Sequence, residues 1–301
     1  MEKWKVGDIV VTKIPEIAGW FPIDLWLSIM PECTREAVEQ LQWLTPSYRR
    51  GDKINLSIHA LLVETPTHKI VIDTGVGNAK RRKWDLFNEL DTDFLARLDE
   101  VCPRNEVDMV ICTHLHNDHV GWNTQFVDGR WVPTYPDARY CFVRSEYDYW
   151  TKYVNDPATV DSYTEYAQDA LDGHEVYRDS IAPIVEAGLV DWVEPDREVV
   201  PGVTLVSTPG HTPGHVSVLL QSGEQSAVIS GDVFHTQAQV GRLDWSVQMD
   251  SAPDEAAETR RIFLERFADT STLVLGTHFG TPTGNYIRRD RDSFKLLPAE
   301  S

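Results

Sequence analysis

Positive charge is scarce in this 301-residue sequence. It has 28 Lys and Arg residues against 47 Asp and Glu residues, which gives a formal net charge of −19 at pH 7. A surface of that sign repels phosphate backbones and anionic lipid headgroups, so we expect neither nucleic acid nor a membrane surface as a partner. The same charge disfavours strongly anionic substrates. We therefore expect a small substrate that is neutral or weakly charged.

Long apolar runs are absent as well. No stretch reaches the ~20 apolar residues that a membrane-spanning helix requires. The opening MEKWKVGDIVVTKIPEIAGW lacks the uninterrupted apolar core of a secretion signal. From these absences we expect a cytoplasmic protein.

Cysteine is rare, with four residues and no CxxC pair. Cys112 and Cys141 lie in the strand-like runs VICT and YCFV, where a Cys usually acts as a small buried apolar residue. We therefore expect neither disulfides nor a metal site built on Cys thiolates.

The remaining composition, 42% hydrophobic and 25% charged, is that of an ordinary globular protein. No low-complexity linker divides the sequence, so we predict a single domain over residues 1–301. Two segments stand out within it: an aromatic N-terminal segment at about residues 13–50, which looks like loop and short helix, and a helical insertion at about residues 145–190 with Ser145 as a candidate N-cap.

Hydrophobic patterns place strands and helices in alternating blocks. Alternating or continuous apolar runs predict strands at residues 6–12, 54–64, 69–74, 107–113, 190–193, 203–208, 217–220, 227–230 and 272–275. Helical spacing predicts helices at residues 84–101, 145–190 and 255–267. This order favours an α+β fold in which two β-rich halves pack as a sandwich with helices outside, and it disfavours a doubly wound parallel sheet.

The run HLHNDH follows the apolar strand at residues 107–113. It places His114, His116, Asp118 and His119 within six residues, where one loop can turn all four side chains toward a point. Imidazole nitrogens and carboxylate oxygens are preferred ligands of zinc and its transition-metal neighbours. A solvated polar loop rarely concentrates three histidines beside an acid, so the run indicates a metal site.

Three further candidate ligands come later in the chain. They are His211 in TPGHTPGH, Asp232 in SGD and His278 in GTHFG, each after a predicted strand and beside glycine. Any one of them alone is more often a structural residue. As an ordered set after strands, they match the placement by which a rigid sheet presents ligands from tight turns.

Together, the HxHxDH run, TPGHTPGH, SGD and the late GTHFG histidine resemble the metallo-β-lactamase superfamily of hydrolases, over about residues 54 to 290. The resemblance implies an αβ/βα four-layer sandwich, with two mixed β-sheets packed face to face and helices outside. It also implies two divalent metal ions, for which we expect zinc, with manganese, iron or cobalt as alternatives. By position, one metal would be held by His114, His116 and His211, the second by Asp118, His119 and His278, and Asp232 would bridge them.

A two-metal site of this kind has a clear chemical use. Two neighbouring cations need shared anions, which Asp232 and a bridging hydroxide supply, and water bound to such metals ionises near pH 7. Hydroxide then attacks a carbonyl or phosphoryl centre, and Asp118 is placed to pass a proton to the leaving group. Asp73 resembles the acid of the superfamily's early DTG turn beneath the metals, although it can equally cap a turn.

Five histidines remain outside this ligand set. His215 is either a packed residue at the start of a strand or a participant in the site, whereas His59, His68 and His174 have no ligand context. His235 stands where related lactonases have a tyrosine that polarises the lactone carbonyl. A neutral His can still donate a hydrogen bond there, so we predict His235 as a catalytic residue beside Asp118.

The metal ligands do not select the substrate, because thioesterases, lactonases, β-lactamases and phosphotriesterases of the superfamily share them. The aromatic N-terminal segment and the long stretch at 122–201 resemble the subgroup of acyl-homoserine-lactone lactonases and methyl-parathion-type hydrolases. We expect an ester-type hydrolase acting first on a lactone. The alternatives are an organophosphate triester, a thioester of the glyoxalase type, or a non-hydrolytic metal-binding role.

The aromatic residues offer two further expectations. As walls of a substrate pocket we select Trp20, Phe21, Trp26, Trp122 and Phe234, with ordinary core packing as the alternative for each. The same aromatic segment and the helical insertion make a homodimer an expected assembly.

Overall fold

The structure, a computed structural model, describes residues 1–160 and 163–300. Its strands are β1 (Lys3–Val6), β2 (Ile9–Pro22), β3 (Arg49–Arg50), β4 (Lys53–Glu64), β5 (Lys69–Ile72), β6 (Met109–Ile111), β7 (Thr124–Val127), β8 (Arg130–Pro133), β9 (Arg139–Val143), β10 (Val190–Val193), β11 (Arg197–Val200), β12 (Val203–Ser207), β13 (Val216–Ser222), β14 (Gln225–Ile229), β15 (Leu273–Leu275), β16 (Gly284–Asp290) and β17 (Ser293–Pro298).

The α-helices are α1 (Asp24–Ile29), α2 (Arg35–Gln40), α3 (Phe94–Val101), α4 (Arg144–Asn155), α5 (Pro157–Val160), α6 (Glu165–Leu171), α7 (Gly173–Val176), α8 (Ala182–Glu186) and α9 (Pro253–Phe267). Short 3₁₀ helices span Gln42–Leu44, Asp85–Phe87, Arg104–Glu106, Gly121–Asn123, Gly231–Val233 and Gln237–Val240, and a π-helical turn spans Tyr177–Ile181. Within the described ranges, no helix is both long and apolar enough to cross a membrane.

Two mixed sheets form the centre of the fold. The first has eight strands in the order β1-β2-β4-β5-β6-β9-β10, with β3 paired to β4, and the second has seven strands in the order β11 to β17. Parallel pairs join β5, β6, β9 and β10 in the first sheet and β14 to β15 in the second, while the remaining pairs are antiparallel. The hairpin β7–β8 stands apart from both sheets.

The layering follows from strand alternation on β4. Leu61 and Val63 pack between the two sheets against Val218 and Ile229 of the second, whereas Leu62 on the opposite face packs with helix residues of a separate core. On the far side of the second sheet, Val228, Val274 and Ile287 pack against Phe263 and Phe267 of α9. The order helix, sheet, sheet, helix confirms the predicted α+β sandwich.

Several predicted elements differ in extent. The first strand was predicted to end at residue 12 and to give way to loop, but β2 continues to Pro22. Its pairing with β4 resumes beyond a bulge between Pro15 and Ile17 and runs on to the pair Pro22 with Lys53. The aromatic N-terminal segment is therefore strand in its first part and α1, α2 and β3 in the rest.

The helix predicted over residues 84–101 is also too long, because only α3 is α-helical. Glu89 has a φ of 48°, which a right-handed helix excludes, and the apolar residues before it turn toward a cleft. Helix α4 begins at Arg144 directly after β9, so Ser145 lies inside the helix and is not its N-cap. Helices occupy much of the predicted insertion, of which residues 161 and 162 lie outside the described part.

The four ligand-bearing segments all follow strands at one edge of the sandwich. The HLHNDH run follows β6, His211 lies between β12 and β13, Asp232 follows β14 and His278 follows β15. Because β6 belongs to the first sheet and the other strands to the second, the site can form only where the two sheets meet.

The four cysteines are buried and form no disulfide.

Candidate metal centre

The structure brings the seven predicted ligand residues together. Among the described residues, four clusters have ligand atoms within 4.8 Å of one another: His114 with His116 and His211, Asp118 with His119 and His278, His114 with His119 and Asp232, and His211 with Asp232 and His235. The first two clusters are the two predicted metal sites, and the third joins them through Asp232. This grouping is what a pair of metal ions bridged by Asp232 requires.

Asp232 occupies the middle of the cluster. Its Oδ2 lies 3.1 Å from Nε2 of His278, 3.3 Å from Nε2 of His119, 3.5 Å from Nε2 of His211 and 3.8 Å from Nε2 of His114. Burial alone would raise the pKa of Asp232, but the imidazoles around it, led by those of His119 and His278, hold that pKa well below its ordinary value. The carboxylate is thus kept in the form that bridges cations.

Several buried polar atoms here have no hydrogen-bond partner: Nε2 of His114, His116 and His119, and Oδ1 of Asp232. Buried polar atoms in folded proteins are nearly always paired, so such a cluster requires an explanation. Nε2 of His114 and Nε2 of His119 lie within 3.8 Å of Oδ2 of Asp232, and His116 faces His211 through Nδ1, an arrangement of lone pairs that fits divalent cations of the zinc type. Burial also lowers the pKa of His114, His116 and His211 well below the ordinary value, which favours the neutral form that binds metal.

Asp73 fixes the HLHNDH loop through hydrogen bonds to Thr113 and His119. It accepts hydrogen bonds from the Thr113 backbone N–H at 2.8 Å, from the Thr113 hydroxyl at 2.9 Å and from Nδ1 of His119 at 2.9 Å. The Thr113 oxygen in turn lies 3.1 Å from Nδ1 of His114. Both rings are thereby oriented with Nε2 toward Asp232, the arrangement that the resemblance to the DTG turn implies for Asp73.

Asp250 orients the His211 ring on the side of the second sheet. It is not among the residues predicted from the sequence. Its Oδ1 accepts from Nδ1 of His211 at 2.8 Å, and its Oδ2 accepts from the Val247 N–H and lies 3.7 Å from the buried Arg260. Burial raises the pKa of Asp250 to about 6. In the sequence this residue looks like an ordinary turn acid before α9, and its partner is 39 positions away.

His215 contacts the backbone of Asp232, the candidate bridging residue. Its Nε2 accepts the Asp232 backbone N–H at 2.8 Å, and its Nδ1 donates to the Thr208 carbonyl at 2.9 Å. Burial lowers the pKa of His215 to about 4, so the ring stays neutral. Gly231 has a φ of 54°, and a Cβ there would lie 2.5 Å from the His215 ring, so only glycine allows this approach.

His235 also reaches the centre. Its Nε2 lies 3.1 Å from Oδ2 of Asp232, yet neither ring nitrogen forms a hydrogen bond, although the side chain is buried. The ring stacks on His278 with centroids 5.6 Å apart, and its backbone N–H donates to the Gln239 side chain. A free donor or acceptor thus faces the same point as the candidate ligands.

The remaining histidines lie apart from these clusters. His59 is buried on β4 beside Ser57, His68 contacts Thr67, and His174 is exposed. In the described part of the chain, none of the residue groups able to hold a metal includes them.

An apolar cleft of about 630 Å³, its open mouth included, leads to the centre. Its floor contains His116, Asp118, His211, Asp232, His235 and His278, and its walls are Leu25, Trp26, Ile29, Leu56, Ile58, Trp84, Leu86, Phe87, Asn117, Ala170, Leu171 and Met249. The wall residues lie on α1, β4, the segment before α3, the HLHNDH run and α6, with Met249 in the segment before α9. The wall residues carry no Lys or Arg, so within the described chain the cleft offers a partner no cationic side chain.

Of the five predicted wall residues, only Trp26 lines the cleft. Trp122 stacks on Phe94 in the core and donates to Glu16, and Phe234 packs against Phe263. Trp20 lies beneath Arg50, and Phe21 packs at the margin of the core between the second sheet and α9. Their order in the sequence, close to candidate ligands or in an aromatic segment, did not reveal which side of the backbone faces the cleft.

Comparisons with known proteins agree with this geometry. The family model of the Metallo-beta-lactamase superfamily matches residues 55–278. N-acyl homoserine lactonase AiiA of Bacillus thuringiensis subsp. kurstaki is 29% identical over 199 residues, and an N-acyl homoserine lactonase of Bacillus cereus is 27% identical over the same length. Each alignment covers 62% of this chain and 65% of the relative, slightly less than two thirds of the relatives' length.

Two of the solved structures that resemble the whole chain illustrate the likeness. One is a hydrolase of the β-lactamase superfamily called AbOPH, with a TM-score of 0.81, 23% identity and coverage of 99% of this chain and 97% of that one. The other is AidC, a dizinc quorum-quenching lactonase, with a TM-score of 0.79, 22% identity and coverage of 100% and 97%. At these identities, the likeness shows that the fold is shared.

Proposed function

Since the chain belongs to the metallo-beta-lactamase superfamily, we propose that it is a dinuclear metal-dependent hydrolase of neutral, partly apolar esters, and first of all of lactones. One observation carries the proposal: seven metal-ligating side chains converge at the floor of a cleft whose walls are apolar. A cyclic ester with an apolar substituent suits such a cleft, because burying the substituent contributes roughly 25 cal/mol per Å² of apolar surface.

The residues divide the work as follows. One cation would be held by His114, His116 and His211, and the other by Asp118, His119 and His278. Asp232 would bind both cations. When bound, the two cations would supply hydroxide near neutral pH and polarise the carbonyl oxygen. Zinc is the metal that we propose, since imidazole and carboxylate ligands suit it.

Asp118 and His235 would then act on the substrate. Addition of hydroxide to the lactone carbonyl is followed by cleavage of the ring C–O bond, and the departing alkoxide needs one proton. Asp118 is only partly buried and lies on the cleft floor, where its carboxylate can take up the proton lost by the attacking water and pass it to the alkoxide. His235, with both ring nitrogens unpaired, would donate a hydrogen bond to the carbonyl oxygen as negative charge develops there.

A substrate panel tests the proposal on the purified protein, with metal content measured on the same sample. The panel consists of a medium-chain N-acyl homoserine lactone, a diethyl aryl phosphotriester, S-acyl glutathione and a cephalosporin. We expect the lactone to give the highest kcat/KM. A phosphotriester is uncharged and also suits the apolar cleft, so the highest value there would move the assignment to that alternative.

The same panel can reject the proposal. S-acyl glutathione and the cephalosporin carry carboxylates for which the cleft walls offer no cation, so a preference for either would contradict the proposed substrate class. Hydrolysis of none of the four by metal-loaded protein would favour the non-hydrolytic role.

Replacing His235 with Ala should lower kcat on the best substrate by about 10²-fold, the usual cost of losing one donor to a developing oxyanion. KM and the number of metal ions per chain should stay close to those of the unaltered protein. His235→Gln retains an N–H donor and should recover part of the loss. Unchanged turnover in His235→Ala would remove this residue from the mechanism.

Replacing Asp250 with Asn should weaken metal binding by about 10-fold to 100-fold, because the acid orients the His211 ring and increases its basicity. Competition with a chromophoric chelator measures the metal affinity. Asp254→Asn, on the exposed first turn of α9, is the matched control and should bind metal normally. Equal affinities in the two variants would show that Asp250 serves only to pack the chain.

A further inference from the structure

Besides Asp73 and Asp250, a third buried carboxylate lies behind the candidate ligands, on the first turn of α4. Glu146 is 1% exposed, although Glu is seldom buried without a charged partner. Three of its hydrogen-bond partners are N–H groups. Oε1 accepts from the Leu115 backbone at 3.1 Å and from the Trp150 indole at 2.8 Å, and Oε2 accepts from the Gly214 backbone at 3.0 Å.

The two backbone partners belong to different halves of the fold. Leu115 lies between His114 and His116 on the loop after β6 of the first sheet. Gly214 lies three residues after His211 on the loop between β12 and β13 of the second sheet. One carboxylate therefore holds both loops that supply the first cluster of candidate ligands. Across this junction, Nδ1 of His116 and Nε2 of His211 lie 2.9 Å apart.

The approach of α4 to the second loop is close enough to restrict the sequence. A Cβ on Gly214 would lie 2.4 Å from the backbone nitrogen of Glu146 and 2.5 Å from its Cβ. Glycine at this position thus allows the helix to contact the loop directly. The Trp150 ring also packs edge-on against His116, with centroids 5.2 Å apart, so the helix touches a candidate ligand as well as its loop.

We infer that Glu146 is a positioning residue that sets the separation of the two ligand loops, and thereby the affinity of the site formed by His114, His116 and His211 for its metal. The inference rests on the proposed metal centre but concerns a residue that would touch neither metal nor substrate. Hydrogen bonds to a carboxylate are stronger than those between neutral groups, so one side chain can hold two loops in register.

The chain contains its own control for the structural part of this role. Glu16 is likewise buried, and it too accepts two backbone N–H groups and one indole N–H: Val76 at 2.6 Å, Gly77 at 3.0 Å and Trp122 at 2.7 Å. Val76 and Gly77 follow the Asp73 turn and Trp122 lies three residues after His119, so this cluster borders the second proposed metal site. Glu16→Gln therefore perturbs the same kind of hydrogen-bond cluster without removing a hydrogen bond to Leu115 or to the His211 loop.

The experiment compares Glu146→Gln with Glu16→Gln in the metal-loaded protein. An amide offers one acceptor oxygen and turns an NH₂ group toward one of the loop N–H donors, so both variants should lose thermal stability to a similar extent. Only Glu146→Gln should lower zinc affinity, by about 10-fold to 100-fold in competition with a chelator. Its cobalt-substituted form should also show an altered visible absorption spectrum, because the ligand geometry changes.

The outcomes separate the possibilities. If zinc affinity and the cobalt spectrum of Glu146→Gln equal those of Glu16→Gln, the inference is overturned and Glu146 only stabilises the fold. If Glu146→Gln does not fold, Glu146→Asp and Glu16→Asp enter the same titration, because a shorter carboxylate cannot reach both loops. If the unaltered protein itself binds no metal, the proposed function fails, a result distinct from equal affinities among variants of a metal-binding protein.

Discussion

Asp232→Asn is expected to lower kcat/KM on the best substrate by about 10³-fold, since a well-placed metal pair contributes several kcal/mol to the transition state and each 1.36 kcal/mol is a factor of ten. Asn is nearly the same size as Asp, so packing should be kept. Its amide lacks the negative charge that two neighbouring cations share, and the single oxygen it offers is a weaker ligand.

The position of Asp232 at the centre of the cluster is the reason for this expected effect. One oxygen of Asp232 lies within 3.8 Å of Nε2 in four of the candidate ligand histidines, and its second oxygen is buried and unpaired. Metal analysis of the variant should show fewer than the two ions per chain that the proposal requires. Asp244→Asn removes a surface carboxylate paired with Arg242 and should leave both measurements unchanged. Retention of most of the activity by Asp232→Asn would contradict the bridging role.

The convergence of the candidate ligands could be predicted from the sequence because these residues share a local signature. Each follows an apolar strand and stands beside glycine or within one dense histidine run, and strands of a sandwich end at the same edge. Asp73 could be proposed for the same reason, as a turn residue after β5. Such features depend on a few neighbouring residues, which a single sequence displays directly.

The residues that support the ligands could not be found in this way. Glu146 contacts Leu115 and Gly214, 31 and 68 positions away, and Asp250 contacts His211 from 39 positions away. Neither carboxylate stands in a motif, and both look like ordinary acids on or near a helix. Only the packing of the second sheet against the first, with α4 across the junction, makes them neighbours of the site.

The prediction of the cleft-wall residues was mostly wrong, for a different reason. An aromatic residue is equally suited to a core and to a pocket, and the choice depends on which face of its element is covered. Trp122 and Phe234 follow candidate ligands closely but point into cores. Trp84, Leu86 and Phe87 were placed in a helix, whereas the break before α3 turns them toward the cleft.

Removal of metal with a chelator is expected to abolish hydrolysis and to lower the Tm. A ligand that binds only the folded state stabilises it by about 4 kcal/mol when present at a thousand times its Kd. At about 2–4 °C per kcal/mol for a large domain, loss of that contribution corresponds to a decrease of about 10 °C in Tm. The stripped site would also leave Nε2 of His114, His116 and His119 buried without partners.

Restoration identifies the kind of metal as well as its role. Zinc added after the chelator is removed should restore both activity and Tm, and manganese or cobalt should restore activity to a degree that reflects their fit to imidazole ligands. Magnesium is the control, because it prefers oxygen ligands and keeps its water, and it should restore neither. Full activity in protein stripped to trace metal would refute the metal-dependent mechanism, since its nucleophile depends on ionisation of water by the cations.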